Sequence, residues 1–186
     1  MTDLETVDNI ASAGELGELI REGDRVGLRF VRRYRHPVER VWRALTESDQ
    51  LRFWMPCDIV GERRGGAPIT LPFWPGHVEK YGITEPVLSG EIQVWEPPTR
   101  FGWTWGGDVL LWELVPIADG TELTFTTWLA DPDLAGAVSS AGGYHLCLAE
   151  LQLLLDSGSA PPMIEVDAVV FRLEEAYQQR FGLGGA

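Results

Sequence analysis

The sequence predicts an α+β fold, a curved antiparallel sheet wrapped around one long helix near the C-terminus. Two observations carry that prediction. Residues 141–155, AGGYHLCLAELQLLL, place Tyr144, Cys147, Leu148, Leu151, Leu154 and Leu155 on one helical face, with Leu146 and Leu153 near the opposite side. Residues 57–129 break instead into short runs separated by Gly and Pro turns, the pattern of antiparallel strands. A helix apolar on two sides has something packed against each, and the sheet covers one of them.

Taken in order, residues 1–24 are acidic, with Leu4, Val7, Ile10, Leu16, Leu19 and Ile20 at loosely helical spacing. They read as a weak helix or an arm laid on the body. Arg25 to Arg35 alternates through Val26, Leu28 and Phe30, as a half-buried strand does. Pro37 suits a first helical turn, and Val38, Val41, Trp42 and Leu45 share one face of the helix that follows. Ser48 reads as the N-cap of a second short helix carrying Leu51, Phe53 and Trp54, stopped by Pro56. Strands are then expected at Cys57–Arg63, Ile69–Phe73, Leu88–Trp95, Arg100–Trp105, Val109–Val115 and Thr121–Leu129. Gly65-Gly66, Gly106-Gly107 and Ala118-Asp119-Gly120 supply hairpin turns. Residues 74–87 show little periodicity and read as a long loop. Asp156-Ser157-Gly158 and Pro161-Pro162 stop the long helix. Beyond them Val166, Val169, Val170, Leu173, Ala176, Tyr177 and Phe181 form a last amphipathic stripe. The expected organisation is an N-terminal arm at 1–24, a core domain at 25–158 and a helical extension at 159–186, whose LGGA end frays. Because Leu146 and Leu153 face away from the sheet, the extension is expected to dock there. It does so within its own chain or swapped into a homodimer.

A formal net charge of -13 argues against nucleic acid or anionic membranes as partners, since both demand a cationic surface. No apolar run approaches the roughly 20 residues that span a bilayer, and the N-terminus lacks a signal-peptide pattern. Two cysteines without paired spacing point to a reducing cytoplasm.

The order strand, two short helices, antiparallel strands, long helix is the helix-grip arrangement. Its residues resemble the START-like (SRPBCC, Bet v-like) superfamily, which includes polyketide cyclases, and within it the branch named for the activator of the heat-shock protein 90 ATPase. The resemblance rests on Pro37-x-x-x-Val41-Trp42-x-Ala44-Leu45-Thr46 with Leu51 and Trp54, and on Gly90-Glu91-Ile92. It continues through Glu96-Pro97-Pro98-x-Arg100-Phe101, Trp103-x-Trp105, Trp112-Glu113-Leu114 and Gly120-Thr121-x-Leu123. It ends with Gly143-Tyr144-His145-x-Cys147-Leu148-x-x-Leu151. Tyr144 stands where the family more often has Trp. The resemblance implies the fold; the superfamily hosts carriers, lyases, cyclases and chaperone partners, so it implies function weakly.

Eight Trp is a high count, and each buries roughly 200 Å². They either fill a core or line a cavity between sheet and helix. The candidate cavity lining is Arg32, Tyr34, Trp54, Trp74 and Trp95, continuing through Trp103, Trp105, Trp112, Tyr144 and Leu148. Arg32 and Tyr34 are in phase with Phe30 and point inward. There Arg32 meets either a structural carboxylate or a ligand carboxylate or phosphate. His145 shares a polar stripe with Gln152 and reads as a surface or pocket-rim residue, and Cys147 as a small core hydrophobe. His145 and Cys147, two apart on a helix, do not face each other and form no nucleophile–base pair. His36, His77 and His145 have no carboxylate or Cys at ligand spacing, so neither a metal nor a cofactor is expected. Glu79, Lys80 and Glu85 read as solvated. The leading expectation is a binder of a small apolar or aromatic ligand. The alternatives are a cyclase, dehydratase or hydrolase using Tyr34, His77, His145, Glu79 or Glu85 as acid or base, and a chaperone-associated interaction module.

Overall fold

The structure, a computed structural model, describes residues 3–131, 133–160 and 167–183. Pro161, Pro162 and Val166 of the sequence reading lie outside them, as do residues 184–186 of the expected frayed end. An eight-stranded antiparallel sheet is ordered β1-β2-β8-β7-β6-β5-β4-β3. The strands are β1 (Glu18–Glu22), β2 (Arg25–Tyr34), β3 (Val60–Gly61), β4 (Pro68–Pro72), β5 (Val87–Glu96), β6 (Arg100–Trp105), β7 (Asp108–Ile117) and β8 (Gly120–Trp128). The helices are α1 (Asp3–Ala13), α2 (Val38–Thr46), α3 (Ser48–Leu51), α4 (Pro75–Tyr81), α5 (Leu134–Ser157) and α6 (Asp167–Arg180).

Turn chemistry sets the meander. Gly106 and Gly107, at φ 57° and 101°, make the two-residue turn between β6 and β7, where both central residues need positive φ. The long helix α5 starts at Asp133, whose carboxylate accepts from the Gly136 amide at 3.1 Å, and ends at left-handed Gly158.

Both faces of α5 are covered. Leu148, Leu151 and Leu154 belong to the main core against the sheet. Leu146, Ala149 and Leu153 form a second core with Val7 and Ala11 of α1 and Val169 and Leu173 of α6. Full burial of such side chains stabilises by about 1.5–3 kcal/mol each. In the single chain, then, the tail docks on the outer face of α5. Gly142 lets it come close: a Cβ there would lie 3.0 Å from Glu174 Cγ and 3.8 Å from the Val170 carbonyl.

Several features differ from the sequence reading. Ser48 lies inside α3, whose N-cap is Glu47, and Lys80, read as solvated, pairs with Asp167. The N-terminal arm also contributes an edge strand, β1, hydrogen-bonded to β2. The expected 74–87 loop contains α4, opened by Pro75 and closed by left-handed Gly82. His145 is not a rim residue; it is 1% exposed, because α1 lies across its stripe. Its Nε2–H donates to the Ala11 carbonyl at 3.0 Å. Its Nδ1 then accepts from the Tyr177 hydroxyl at 2.8 Å, and that oxygen accepts from the Gly17 amide at 2.8 Å. One neutral tautomer satisfies the whole chain, and burial accordingly pulls the imidazole down to about 4.

Candidate functional site

The concave face of the sheet is largely filled. Strand register sets Trp95 against Phe101, Phe101 against Trp112, Trp112 against Phe125, and Phe125 against Phe30. These aromatics form one row across five strands, with Trp112 and Phe125 stacked at 3.9 Å between centroids. Trp103 stacks on Trp112 at 6.0 Å, and Trp54 meets Trp112 edge-on at 5.5 Å. Trp54 also donates its indole N–H to the Ala44 carbonyl at 2.8 Å.

The space lies to one side of that row. A cavity of about 340 Å³ opens between α4, the end of β6, the N-terminal half of α5 and one face of α6. Phe73, Trp105 and Tyr144 give it aromatic walls, Ile83, Leu146 and Val170 give it aliphatic ones, and Ser140 and His77 supply polar points. Gly143 forms bare floor: a Cβ there would meet nothing within 4 Å. At the mouth Ser139 donates to the Glu174 carboxylate at 3.0 Å, and Lys80 pairs with Asp167, tying α4 to α6.

Apart from the Glu174 carboxylate, burial keeps the ionisable groups of the lining uncharged. Burial, with Lys80 second, lowers the His77 pKa, so the imidazole is uncharged at pH 7. Burial raises the Tyr144 phenol and the Cys147 thiol well above their ordinary values. Held as a thiol by burial first and by Glu150 second, Cys147 is not an activated nucleophile. Among the described residues no group of three or more His, Cys, Asp or Glu stands together as metal ligands would.

Of the sequence candidates, the cavity brings together Trp105 and Tyr144. Trp54, Trp103, Trp112 and Leu148 are buried in the main core. Trp95 packs on Trp42 at 5.1 Å. Trp74 caps the start of α4 and donates to the Met55 carbonyl at 2.7 Å. Tyr34 is buried with its hydroxyl 3.5 Å from the Leu148 carbonyl, and Arg32 lies at a separate cleft. The sequence reading missed Phe73 and Glu150. Phe73 closes a β4 alternation that could have revealed it. Glu150 is fully buried with no partner for either carboxylate oxygen. It sits one turn beyond Leu146 and Cys147, an acid between Leu148-Ala149 and Leu151, and that signal was available.

A sheet curled over a long helix, with a side cavity between them, defines a helix-grip domain. The family described as Activator of Hsp90 ATPase homolog 1-like protein matches residues 35–156, and the chain belongs to it. Among solved structures it is similar to a conserved protein of unknown function, EF2215, from Enterococcus faecalis. That likeness is 18% identity over 100% of both chains, with a TM-score of 0.74. The BPP1335 protein of Bordetella parapertussis shares 27% identity over 90% of each chain, with a TM-score of 0.67. CalU16 from Micromonospora echinospora shares 21% identity over 88% of this chain and 92% of its own, with a TM-score of 0.63. The last two structures were solved in solution and in the crystal, respectively, and all three repeat the fold. No curated protein matches the chain. Among the described residues no helix is long and apolar enough to cross a membrane.

Proposed function

We propose that the protein binds a small, largely apolar molecule, aromatic or acyl in character, in the cavity walled by Phe73, Trp105 and Tyr144. The observation that carries this reading is unfilled space beside a filled sheet. Some 340 Å³ with aromatic walls and few polar points has the size and chemistry of a small-ligand pocket. His77 and Ser140 would orient a single polar group of the ligand.

The test uses the open floor. At Gly143 a Cβ meets nothing within 4 Å, so Gly143→Leu should fold and fill part of the cavity, losing binding. Native mass spectrometry of freshly purified protein, followed by Trp fluorescence titration with aromatic and acyl compounds, supplies the readout. Equal binding by wild type and Gly143→Leu, or no binding by wild type across the panel, would remove the proposal.

A further inference from the structure

Away from the cavity, one cleft collects three arginines on a chain whose net charge is -13. Strand β1 covers the outer edge of β2 only as far as the Glu18–Arg29 pair, leaving Phe30 to Tyr34 without a strand on that side. A cleft of about 330 Å³ wraps this uncovered edge. Arg29 and Arg32 reach it from β2, and Arg180 reaches it from the end of α6. Glu15 and Glu18 stand at its other wall, so three guanidinium groups face two carboxylates and one positive charge is in excess.

None of these five side chains enters an ion pair among the described residues. Two of the arginines are held in place by backbone. Arg180 donates Nε–H to the Gly17 carbonyl at 3.0 Å, and Arg32 donates from Nη1 to the Val31 carbonyl at 2.8 Å. The other terminal nitrogen of Arg32, Nη2, is buried and donates to nothing. A buried guanidinium nitrogen with no acceptor is costly, and its pKa is lowered mainly by that burial. Tyr34, Tyr177 and Glu15 oppose the effect only as charges at a distance. The sequence offered Arg32 either a structural carboxylate or a ligand; among the described residues no carboxylate bonds to it.

We propose that this cleft binds a small oxyanion, a carboxylate or a phosphate group, on the free edge of Arg32 with Arg29 and Arg180 closing around it. A planar guanidinium fork matches two oxygens of either group, and the added negative charge offsets the excess of the cleft. The site is independent of the apolar cavity and of what binds there.

The experiment uses the full chain. Thermal unfolding and isothermal titration are run with inorganic phosphate and, separately, with acetate, against chloride at matched ionic strength. Side-chain Nε–Hε resonances of arginine are followed by NMR. A saturable rise in melting temperature with phosphate, acetate or both, absent with chloride, is expected, and the responding arm identifies the oxyanion. Shifts should concentrate on Arg29, Arg32 and Arg180. Arg32→Met should weaken binding about tenfold or more, as loss of a charge-assisted hydrogen bond does. Arg29→Gln and Arg180→Gln change exposed residues and should each weaken it as well, which keeps the test sound should Arg32→Met fold poorly. No saturable response to either oxyanion, or a response unchanged in the three variants, overturns the proposal.

Discussion

Replacing Glu150 with methionine should make the protein more stable at neutral pH, by an amount that grows with pH. The side chain is 0% exposed, neither oxygen has a partner, and burial alone raises its carboxyl well above the usual range. An unfolded Glu ionises near about 4.3. Between that pH and the folded value, the native state keeps a proton that the unfolded chain has released. Stability then falls as pH rises, by about 1.4 kcal/mol per pH unit, and levels off above the folded value. Methionine has similar length, no proton and no orphaned oxygen. It should gain on the order of 1–3 kcal/mol at neutral pH, the cost of a buried polar group left without a partner. Urea unfolding of both proteins at pH 5, 6, 7 and 8 gives the difference directly. A flat difference across that range, or a less stable variant, would mean that the carboxyl has a partner and that the reasoning fails.

Three further predictions follow from the same packing. His145 is neutral in the fold and pulled to about 4, while an unfolded His titrates near about 6.5, so the unfolded chain takes the extra proton between those values. Stability should therefore drop by on the order of 3 kcal/mol as pH falls from 6.5 to 4. Glu150 contributes the opposite slope over much of this window, so the His145 effect is read as wild type minus His145→Gln; a level difference would contradict it. The neighbouring glycines of α5 should respond with opposite signs. Gly143→Ala, into open space, should gain roughly 0.5–1 kcal/mol of helix propensity. Gly142→Leu, against the backbone of α6, should lose roughly 1–3 kcal/mol, and paired melting curves decide it. Truncation after Gly158 should expose Leu146 and Leu153 and leave His145 and Gly17 without Tyr177, lowering the melting temperature and promoting aggregation. A truncated protein as stable as the full chain would refute that docking. Light scattering on both would show a mass of one chain, unless the tail is exchanged between two copies.

Periodicity made the fold legible because most elements bury a face. Leu146 and Leu153 on the far side of α5 announced a second packing layer, and the stripe at Val169, Leu173 and Tyr177 announced what fills it. Elements held by backbone alone escaped. β1, ELIRE, pairs through main-chain hydrogen bonds on an edge and needs no alternation. α4 is seven residues, too short for an apolar period, and only its Pro75 and Gly82 marked it. Burial by a distant segment escaped too. Nothing local tells that α1 covers His145, so a stripe shared with Gln152 read as solvent-facing. The cavity was the least legible feature. Alternation says which face a Trp takes, but whether space lies before it depends on what stands opposite. Trp112 faces inward and meets Phe125 at 3.9 Å, whereas Trp105, near the strand end, meets Phe73 at 6.0 Å with room beside it.

That position at the strand end gives the tail a second consequence. The family match stops at residue 156, yet Val170 and Glu174 of α6 form a wall of the cavity, and Glu174 holds Ser139 at its mouth. The Lys80–Asp167 pair joins the same helix to α4, the opposite wall. Without α6 the side of α5 bearing Gly143 and Leu146 would lose its cover, and the cavity would lose the wall formed by Val170 and Glu174. The matched part supplies strands β3 to β8, nearly all of the long helix and most of the aromatic filling between them, while β1 and β2 precede it. One wall of the cavity, and under the proposed function part of what selects a ligand, comes from a segment outside that match. Substitutions at Val170 should change which compounds bind while leaving the sheet core untouched. Substitutions in the Phe101–Trp112–Phe125 row should change stability first.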